Sequence, residues 1–208
     1  MPPIPCWKEF YGIRIYLNLR DCAWWFSRNT KQVEAEEHWQ ELLGTVEPMR
    51  VWDVGSNVGV FALLAAKMGH QVVAFDISTC AINLMLKSAR YNRLKIEHNC
   101  RAFSTKDFTY TPPKTADTCN KPIMGSGFAS ITFLEAANRH GVPNFIKMDI
   151  EHGEVEFLQS ELFHEWIKQH DITLLMEVHS EDYMKFVWPD VPWRMLYGRH
   201  VLFNPKGL

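Results

Sequence analysis

The chain has 208 residues and a formal net charge of −2, from 22 basic and 24 acidic side chains. Hydrophobic residues make up 47% and charged residues 22%, which is typical of one ordinary globular domain with a substantial core. The charge balance disfavours a protein that binds nucleic acid through a strong basic excess, and no apolar run reaches the roughly 20 residues of a membrane span.

The N-terminal segment, residues 1–49, is predicted to supply a strand and a helix that pack on a core formed by residues 50–208. Residues 12–21 alternate apolar and polar side chains, which is the period of a half-buried strand. Residues 30–44 have a helical composition, with Gly44 as a plausible end. We expect one structural domain overall.

From residue 50 the chain alternates between strand and helix patterns. Such alternation predicts parallel strands joined by covering helices, because parallel neighbours need a long crossover. The expected fold is therefore α/β, a doubly wound, mostly parallel, Rossmann-like sheet. Predicted strands cover residues 50–54, 71–76, 96–101, 144–149 and 172–178, and predicted helices cover 58–68, 79–91 and 153–168.

Two later regions are less regular. Residues 109–127 are rich in turn formers and are predicted to be an exposed loop, whereas residues 131–141 resemble a short strand that runs into a short helix. Residues 193–203 fit either a hairpin that turns at Gly198 and Arg199 or a helix capped by Gly198 and followed by one strand.

A glycine turn, DVGSNVG at residues 53–59, follows the first strand of the alternation. Gly55 allows close approach of a ligand to the backbone, and Gly59 opens a helix whose first N–H groups are unpaired. A dinucleotide-binding GxGxxG turn would need glycines where this chain has Asn57 and Val60. A nicotinamide cofactor is therefore disfavoured, and no P-loop motif occurs here.

Two carboxylates accompany this turn. Asp53 places a negative charge close to it, which would repel a pyrophosphate and favour a cationic ligand. Asp76 ends the next strand, the usual place for a carboxylate that binds two ribose hydroxyls. A phosphate-free, positively charged ligand with a ribose matches S-adenosylmethionine.

Three motifs in chain order resemble the class I S-adenosylmethionine-dependent methyltransferases, and more narrowly their FkbM-type family. The turn resembles the family motif DVGANIG, and KMDIEHGE at residues 147–154 resembles KIDVEGAE. A strand that ends in an acidic residue and a histidine appears as Glu177-Val178-His179. His152 departs from the glycine that the family usually carries.

The resemblance implies a class I methyltransferase fold, S-adenosylmethionine as the cofactor and a role for each matching residue. Asp149 would face the methionine end or the incoming substrate. The implied cofactor-binding residues are Asp53 near the turn, Gly55, Ser56, Asn57 and Gly59 at the methionine part, Asp76 with Ile77 at the ribose, and Arg101, Ala102 and Phe103 beside the adenine.

The candidate catalytic residues lie at strand ends, where open α/β sheets bind ligands. Methyl transfer is an in-line displacement, so positioning can supply roughly 7–11 kcal/mol. His179 is the first candidate base, because an ordinary imidazole pKa of about 6.5 leaves it mostly neutral at pH 7. Glu177 could orient His179, Asp149 is the competing base, and Glu151 is a further candidate.

Other polar residues of this region receive structural roles. Lys147 is expected to pair with a carboxylate, and Glu154 to favour a helix N-terminus through the helix dipole. His152 could complete a metal site with Asp149 and His179, but the ligand spacing matches no recognised motif. We therefore expect no metal.

The leading hypothesis is O-methylation of a small-molecule or sugar-like hydroxyl. A nucleic acid is an unlikely acceptor here, because the Asn/Asp-Pro-Pro-aromatic motif is replaced by DIEH at residues 149–152. The alternatives are an NAD(P)-dependent oxidoreductase and a non-catalytic binding module. Trp24 and Trp25 could line a substrate pocket. The sequence carries no signal for the oligomeric state.

We expect a cytoplasmic protein with no membrane association. The five cysteines are scattered and form no CxxC pair, which argues against a disulfide framework and for a reducing compartment. The N-terminus lacks the basic start and apolar middle of a signal peptide.

Overall fold

A computed structural model describes residues 5–18, 30–44, 47–107, 109–110, 128–151, 153–179, 188–196 and 198–204. The helices are α1 Thr30–Gly44, α2 Val60–Lys67, α3 Thr79–Tyr91, α4 Phe133–His140, α5 Glu154–Leu158 and α6 Glu161–Gln169. The strands are β1 Pro5–Phe10, β2 Ile13–Asn18, β3 Arg50–Val54, β4 Gln71–Phe75, β5 Glu97–Asn99, β6 Ala102–Ser104, β7 Thr109–Tyr110, β8 Phe128–Thr132, β9 Phe145–Met148, β10 Thr173–Glu177, β11 Trp193–Met195 and β12 His200–Phe203. No helix within these ranges combines the length and the apolar character that a bilayer crossing needs.

The centre of the fold is a seven-stranded sheet in the order β11-β12-β10-β9-β3-β4-β5. The strands β10, β9, β3, β4 and β5 run parallel, whereas β12 is antiparallel to both of its neighbours. This confirms the predicted doubly wound, mostly parallel sheet. The strand order reverses between β3 and β9, so the crevice for a ligand is expected at their carboxyl ends.

Each face of the sheet is covered by its own hydrophobic cluster. Successive strand residues alternate between them, because side chains along a strand point to opposite faces. Val51 joins the cluster under α1, α2 and α3, whereas its neighbour Trp52 joins the cluster under α4, α5 and α6. The strands are therefore buried on both sides, which accounts for their nearly continuous apolar sequence.

The N-terminal segment contains a hairpin that the sequence pattern revealed only in part. Strand β2 was predicted, but its partner β1 lies in a proline-rich start that carries little strand signal. Tyr11 and Gly12 connect the two strands with φ angles of 48° and 70°, both in the left-handed region. Paired positive φ values are the geometry of a tight hairpin turn.

Several boundaries differ from the prediction for local reasons. The predicted helix 153–168 divides into α5 and α6, because Ser160 is extended and its hydroxyl caps α6 by accepting from the Phe163 N–H at 3.2 Å. Strands β6, β8 and β7 form a small separate sheet that was not predicted.

The hairpin alternative for residues 193–203 is confirmed by the antiparallel pairing of β11 with β12, and the helix alternative is wrong. Residues 111–127 of the predicted loop lie outside the described residues.

Candidate functional site

The glycine turn connects β3 to α2 and packs against the chain that leaves β9. Gly55 has a φ of +77°, and a Cβ on it would lie 1.7 Å from the Asp149 carbonyl oxygen. A side chain therefore cannot be accommodated at this position. The Gly55 and Ser56 N–H groups both donate to the Phe75 carbonyl, at 2.9 and 3.0 Å, which ties the turn to the end of β4.

The turn presents polar atoms that no other described residue satisfies. Ser56 Oγ and Asn57 Oδ1 are buried and have no hydrogen-bond partner among the described residues. Buried polar groups are normally paired, so such atoms indicate a place for a ligand. Asn57 tolerates its φ of 49° because asparagine is enriched in the left-handed region.

Asp76 faces the turn from the end of β4. Its Oδ2 accepts from the Asn57 N–H and its Oδ1 from the Ser78 N–H, both at 2.7 Å. Burial raises the pKa of Asp76, and these two N–H groups oppose the shift. Each carboxylate oxygen keeps a further lone pair, so the group can still bind a diol. Ile77 follows it, half-buried.

Asp53 is placed differently from the sequence expectation. It is fully buried, and its Oδ2 accepts from the Ala62 N–H of α2 at 3.0 Å. Burial raises the pKa of Asp53 to about 6, and the nearby Lys147 ammonium opposes that rise. Asp53 therefore lies beneath the turn and joins β3 to α2, and its role in cofactor binding stays a prediction.

Lys147 lies between Asp53 beneath the turn and Asp149 after β9, which confirms its predicted pairing with a carboxylate. Its Nζ lies 3.2 Å from Asp149 Oδ2 and 3.7 Å from Asp53 Oδ1. Burial alone would lower the pKa of Lys147, but the two carboxylates outweigh burial and raise it. The ammonium therefore stays charged and holds Asp149, whose side chain is 29% exposed, at the open edge of the sheet.

His179 lies at the centre of a ring of carboxylates after β10. Its Nδ1 is 3.2 Å from Glu154 Oε1, and its Nε2 faces Asp149, Glu151 and Glu177 at 4.0, 3.7 and 3.6 Å. The hydrogen bond with Glu154 raises the pKa of His179 to about 9 despite partial burial, with Glu154, Asp149 and Glu177 adding their charges. This shift favours the protonated imidazole at pH 7, in contrast to the expected mostly neutral one.

The other catalytic candidates occupy the same ring. Burial would raise the pKa of Glu177, but the hydrogen bond and charge of His200, whose Nε2 lies 3.3 Å away, outweigh it and lower the pKa to about 2. Glu151 has a φ of 51° and a side chain that is 75% exposed. The structure thus brings Asp149, Glu151, Glu177 and His179 together, as predicted. Their catalytic roles stay predictions.

The predicted adenine-side residues have separate locations. Phe103 is 7% exposed, and its ring packs between those of Phe75 and Phe157, with centroids 5.1 and 5.5 Å away. Its ring is therefore part of the core, and its place beside an adenine stays a prediction. Arg101 pairs with Glu135 at 3.3 Å, and together with the half-buried Ala102 it remains a candidate.

Sequence reasoning missed two residues of this part of the site, Glu154 and His200. Two other expectations concern residues that the structure does not describe. Glu154 is fully buried beside His179, although it was read only as a helix-dipole residue; its position at the end of the second motif was the available signal. His200 reaches Glu177 through the β10–β12 register and carried no signal. His152 and the segment with Trp24 and Trp25 lie outside the described residues.

Comparisons with known proteins agree with this architecture. No protein-family model matches the chain. The ribosomal protein L11 methyltransferase of Desulfitobacterium hafniense (strain DSM 10664 / DCB-2) is 36% identical over 56 residues, which are 26% of this chain and 18% of that protein. The FkbM-type resemblance is not confirmed by this match.

Solved structures share the fold over nearly the whole chain. The T. Thermophilus 16S rRNA N2 G1207 methyltransferase in complex with AdoMet and guanosine aligns with a TM-score of 0.58 and 12% identity, over 98% of this chain and 50% of its own. The Pyrococcus abyssi tRNA (uracil-54, C5)-methyltransferase in complex with S-adenosyl-L-homocysteine aligns with a TM-score of 0.54 and 14% identity, over 96% and 43%. The chain spans half or less of the length of these proteins.

These comparisons correct one expectation. A small-molecule hydroxyl acceptor, with nucleic acid unlikely, conflicts with neighbours whose names specify 16S rRNA, tRNA and a ribosomal protein. The names of these proteins also give no support for methyl transfer to an oxygen atom. The fold of this chain is the one that these S-adenosylmethionine-dependent methyltransferases share.

Proposed function

We propose that this protein is an S-adenosylmethionine-dependent methyltransferase that holds its cofactor between the glycine turn and Asp76. The observation that carries the proposal is a pair of buried atoms in the turn, Ser56 Oγ and Asn57 Oδ1, for which the described residues supply no hydrogen-bond partner. The backbone at Gly55 in the same turn has no room for a side chain. These atoms suit the amino-acid end of the cofactor, and the Asp76 carboxylate suits its ribose hydroxyls.

In this proposal the other half of the site positions the acceptor. Asp149 is partly exposed and is held by Lys147, so it faces the transferring methyl group. The hydrogen bond with Glu154 raises the pKa of His179 to about 9, which favours the protonated imidazole at neutral pH and disfavours His179 as the base. The acceptor proton then passes to Asp149 or to water, and catalysis rests chiefly on alignment.

Thermal melting with S-adenosylhomocysteine and with NAD tests the cofactor. A ligand at 100 times its dissociation constant stabilises a protein by about 2.7 kcal/mol, which gives a shift of several degrees. We expect a shift with S-adenosylhomocysteine alone. A shift with NAD alone would replace the proposal with a nicotinamide-dependent oxidoreductase, although the antiparallel β12 differs from the parallel sheet of dinucleotide-binding folds.

We further propose that the methyl acceptor is RNA, and an aromatic and basic surface supports this acceptor. Trp7 and Tyr91 are 39% and 49% exposed, and their ring centroids lie 4.5 Å apart. The Arg14 guanidinium lies over the Tyr91 ring at 5.4 Å, while Arg90 and Arg93 are exposed close by in the chain. Exposed aromatic rings interleaved with cations are typical of surfaces that bind single-stranded nucleic acid.

This aromatic and basic surface lies far from the cofactor turn. It gathers at the end of α3, whose start is capped by Ser78 beside Asp76. Thirteen residues of helix at 1.5 Å each separate the two ends by about 20 Å. An acceptor that touches both places must be a polymer, which agrees with the RNA substrates named for the structural neighbours.

Transfer of a radioactive methyl group to total cellular RNA and protein tests the acceptor. We expect label in a fraction that ribonuclease destroys, and roughly tenfold less label with Arg90→Glu and Arg93→Glu together. Arg194→Glu is the matched control, because Arg194 is exposed on β11 at the opposite edge of the sheet. Equal loss in both variants would remove the aromatic and basic surface from the proposal.

A protein acceptor is the second candidate, and the 56-residue match to a ribosomal protein L11 methyltransferase favours it. Label that protease removes and ribonuclease spares would select this candidate over RNA. Absence of label in both fractions, with S-adenosylhomocysteine still bound, would reject methyl transfer to either macromolecule.

A further inference from the structure

We propose that Asp149, Glu154 and His179 form a binding site for a divalent transition-metal ion such as Mn²⁺. One ligand atom of each residue lies within 4.8 Å of the others. The three side chains come from the end of β9, from α5 and from the segment after β10, so the fold and not one local motif brings them together. Binding of the ion requires no cofactor and no acceptor.

The spacing of these side chains fits a shared ion. Two ligand atoms bound at roughly 2.1 Å to one ion lie about 3 Å apart at a right angle and about 4.2 Å apart when opposite. One ligand atom from each of the three residues lies within 4.8 Å of the other two, and His179 Nδ1 lies 3.2 Å from Glu154 Oε1. Side-chain rotations that shorten the longest separation would bring one atom of each residue onto an ion, and the ion would displace the proton of His179, because only a neutral imidazole binds a metal.

Glu154 supplies the second and independent observation. It is 0% exposed, and its Oε1 accepts from the Ile150 N–H at 2.9 Å. Its Oε2 is buried and has no hydrogen-bond partner among the described residues. A buried carboxylate normally has both oxygens satisfied or binds a metal, so this unsatisfied oxygen marks an open ligand position.

The surrounding charge and the ligand types select the ion. Glu151 and Glu177 lie 3.7 and 3.6 Å from His179 Nε2, beyond hydrogen-bond distance, and could each add an oxygen ligand. Imidazole together with carboxylates suits Mn²⁺, Fe²⁺ or Zn²⁺, whereas Mg²⁺ and Ca²⁺ prefer oxygen ligands only. The sequence-based expectation of no metal considered His152 as the third ligand and overlooked Glu154.

A second cluster of the described residues provides a control. His164, Glu165 and Asp190 also come within ligand distance of one another, but both carboxylates are exposed and already pair with Lys168, at 3.3 and 2.7 Å. This cluster has a cation of its own and presents no buried unsatisfied carboxylate oxygen. It should bind a divalent ion weakly or not at all.

The test titrates Mn²⁺ into tag-free protein that has been treated with EDTA, and follows the electron paramagnetic resonance signal of the free ion. We expect one bound ion in the wild type and at least tenfold weaker binding in both Glu154→Gln and Asp149→Asn. Asp190→Asn should bind Mn²⁺ as the wild type does. Circular dichroism spectra and melting curves check that each variant is folded.

Three results would overturn the site. They are no binding of Mn²⁺ below millimolar concentration in the wild type, unchanged binding in the folded Asp149→Asn variant, and equal competition by Mg²⁺, which would exclude the imidazole as a ligand. If Glu154→Gln fails to fold, Asp149→Asn and the Mg²⁺ competition still decide. Binding of S-adenosylhomocysteine, measured separately, shows whether the proposed cofactor site fails on its own.

Discussion

The two halves of the site are built by different means at the same edge of the sheet. The glycine turn after β3 is shaped by backbone: positive φ at Gly55, N–H groups aimed at β4, and no room for a side chain. The carboxylate ring after β9 and β10 is shaped by side chains of distant segments around His179. A short turn can therefore be read from a local pattern, whereas the ring exists only once the fold has formed.

The largest expected effect tests the backbone half. Gly55→Ala should destabilise the protein by more than about 3 kcal/mol, because the added Cβ would lie 1.7 Å from a backbone oxygen at a left-handed φ. Gly198→Ala is the control, since Gly198 also has positive φ but no atom within 4 Å of an added Cβ. It should cost about 1 kcal/mol. Urea denaturation measures both, and equal losses would show that the close approach is unimportant.

The second-largest effect is expected for Asp76→Ala, which should weaken ligand binding. Losing a carboxylate that binds two ribose hydroxyls should weaken S-adenosylhomocysteine binding by roughly 10- to 100-fold. Calorimetric titration measures this change. Asp107→Ala, at an exposed carboxylate beyond β6, should bind as the wild type does. Unchanged affinity in Asp76→Ala would remove Asp76 from the cofactor site.

The side-chain half should respond to pH. The pKa of His179 is raised to about 9 from its ordinary 6.5, chiefly by Glu154, so folding favours the protonated form. Its contribution to stability is complete below about pH 6.5 and is lost as pH rises through about 9. With EDTA present, the wild type should lose about 1–2 kcal/mol more than His179→Gln across this range. Parallel pH profiles of the two proteins would contradict the pairing.

The smallest effect is expected outside both halves. Lys168 pairs with Asp190 at 2.7 Å and Glu165 at 3.3 Å, but all three side chains are exposed by a third or more. Lys168→Ala should leave the midpoint of urea denaturation nearly unchanged, because solvent screens exposed ion pairs. A shift of the midpoint as large as that of His179→Gln would show that this surface cluster matters as much as the buried ring.

The sequence predicted the sheet and the turn because both leave local periodic signals. The alternation between apolar strands and helices predicted both ends of β3, α2 and β4 to within two residues of their positions in the structure. The burial of Phe103 and Glu154 could not be predicted, because no local pattern shows which face of a three-residue strand or a five-residue helix is buried. His200 depends on a strand register set by the C-terminal hairpin, which is a long-range property.

The contact between Gly55 and Asp149 joins the two halves mechanically. The Asp149 N–H donates to the Val54 carbonyl at 2.9 Å, while the Asp149 carbonyl fills the space in front of Gly55. The turn and the chain after β9 are thus interlocked through main-chain atoms and cannot shift independently. We expect cofactor binding at the turn to change the NMR chemical shifts of the Asp149 and Ile150 amides. The acceptor would then meet a different backbone position after β9 when the cofactor is bound than when it is absent.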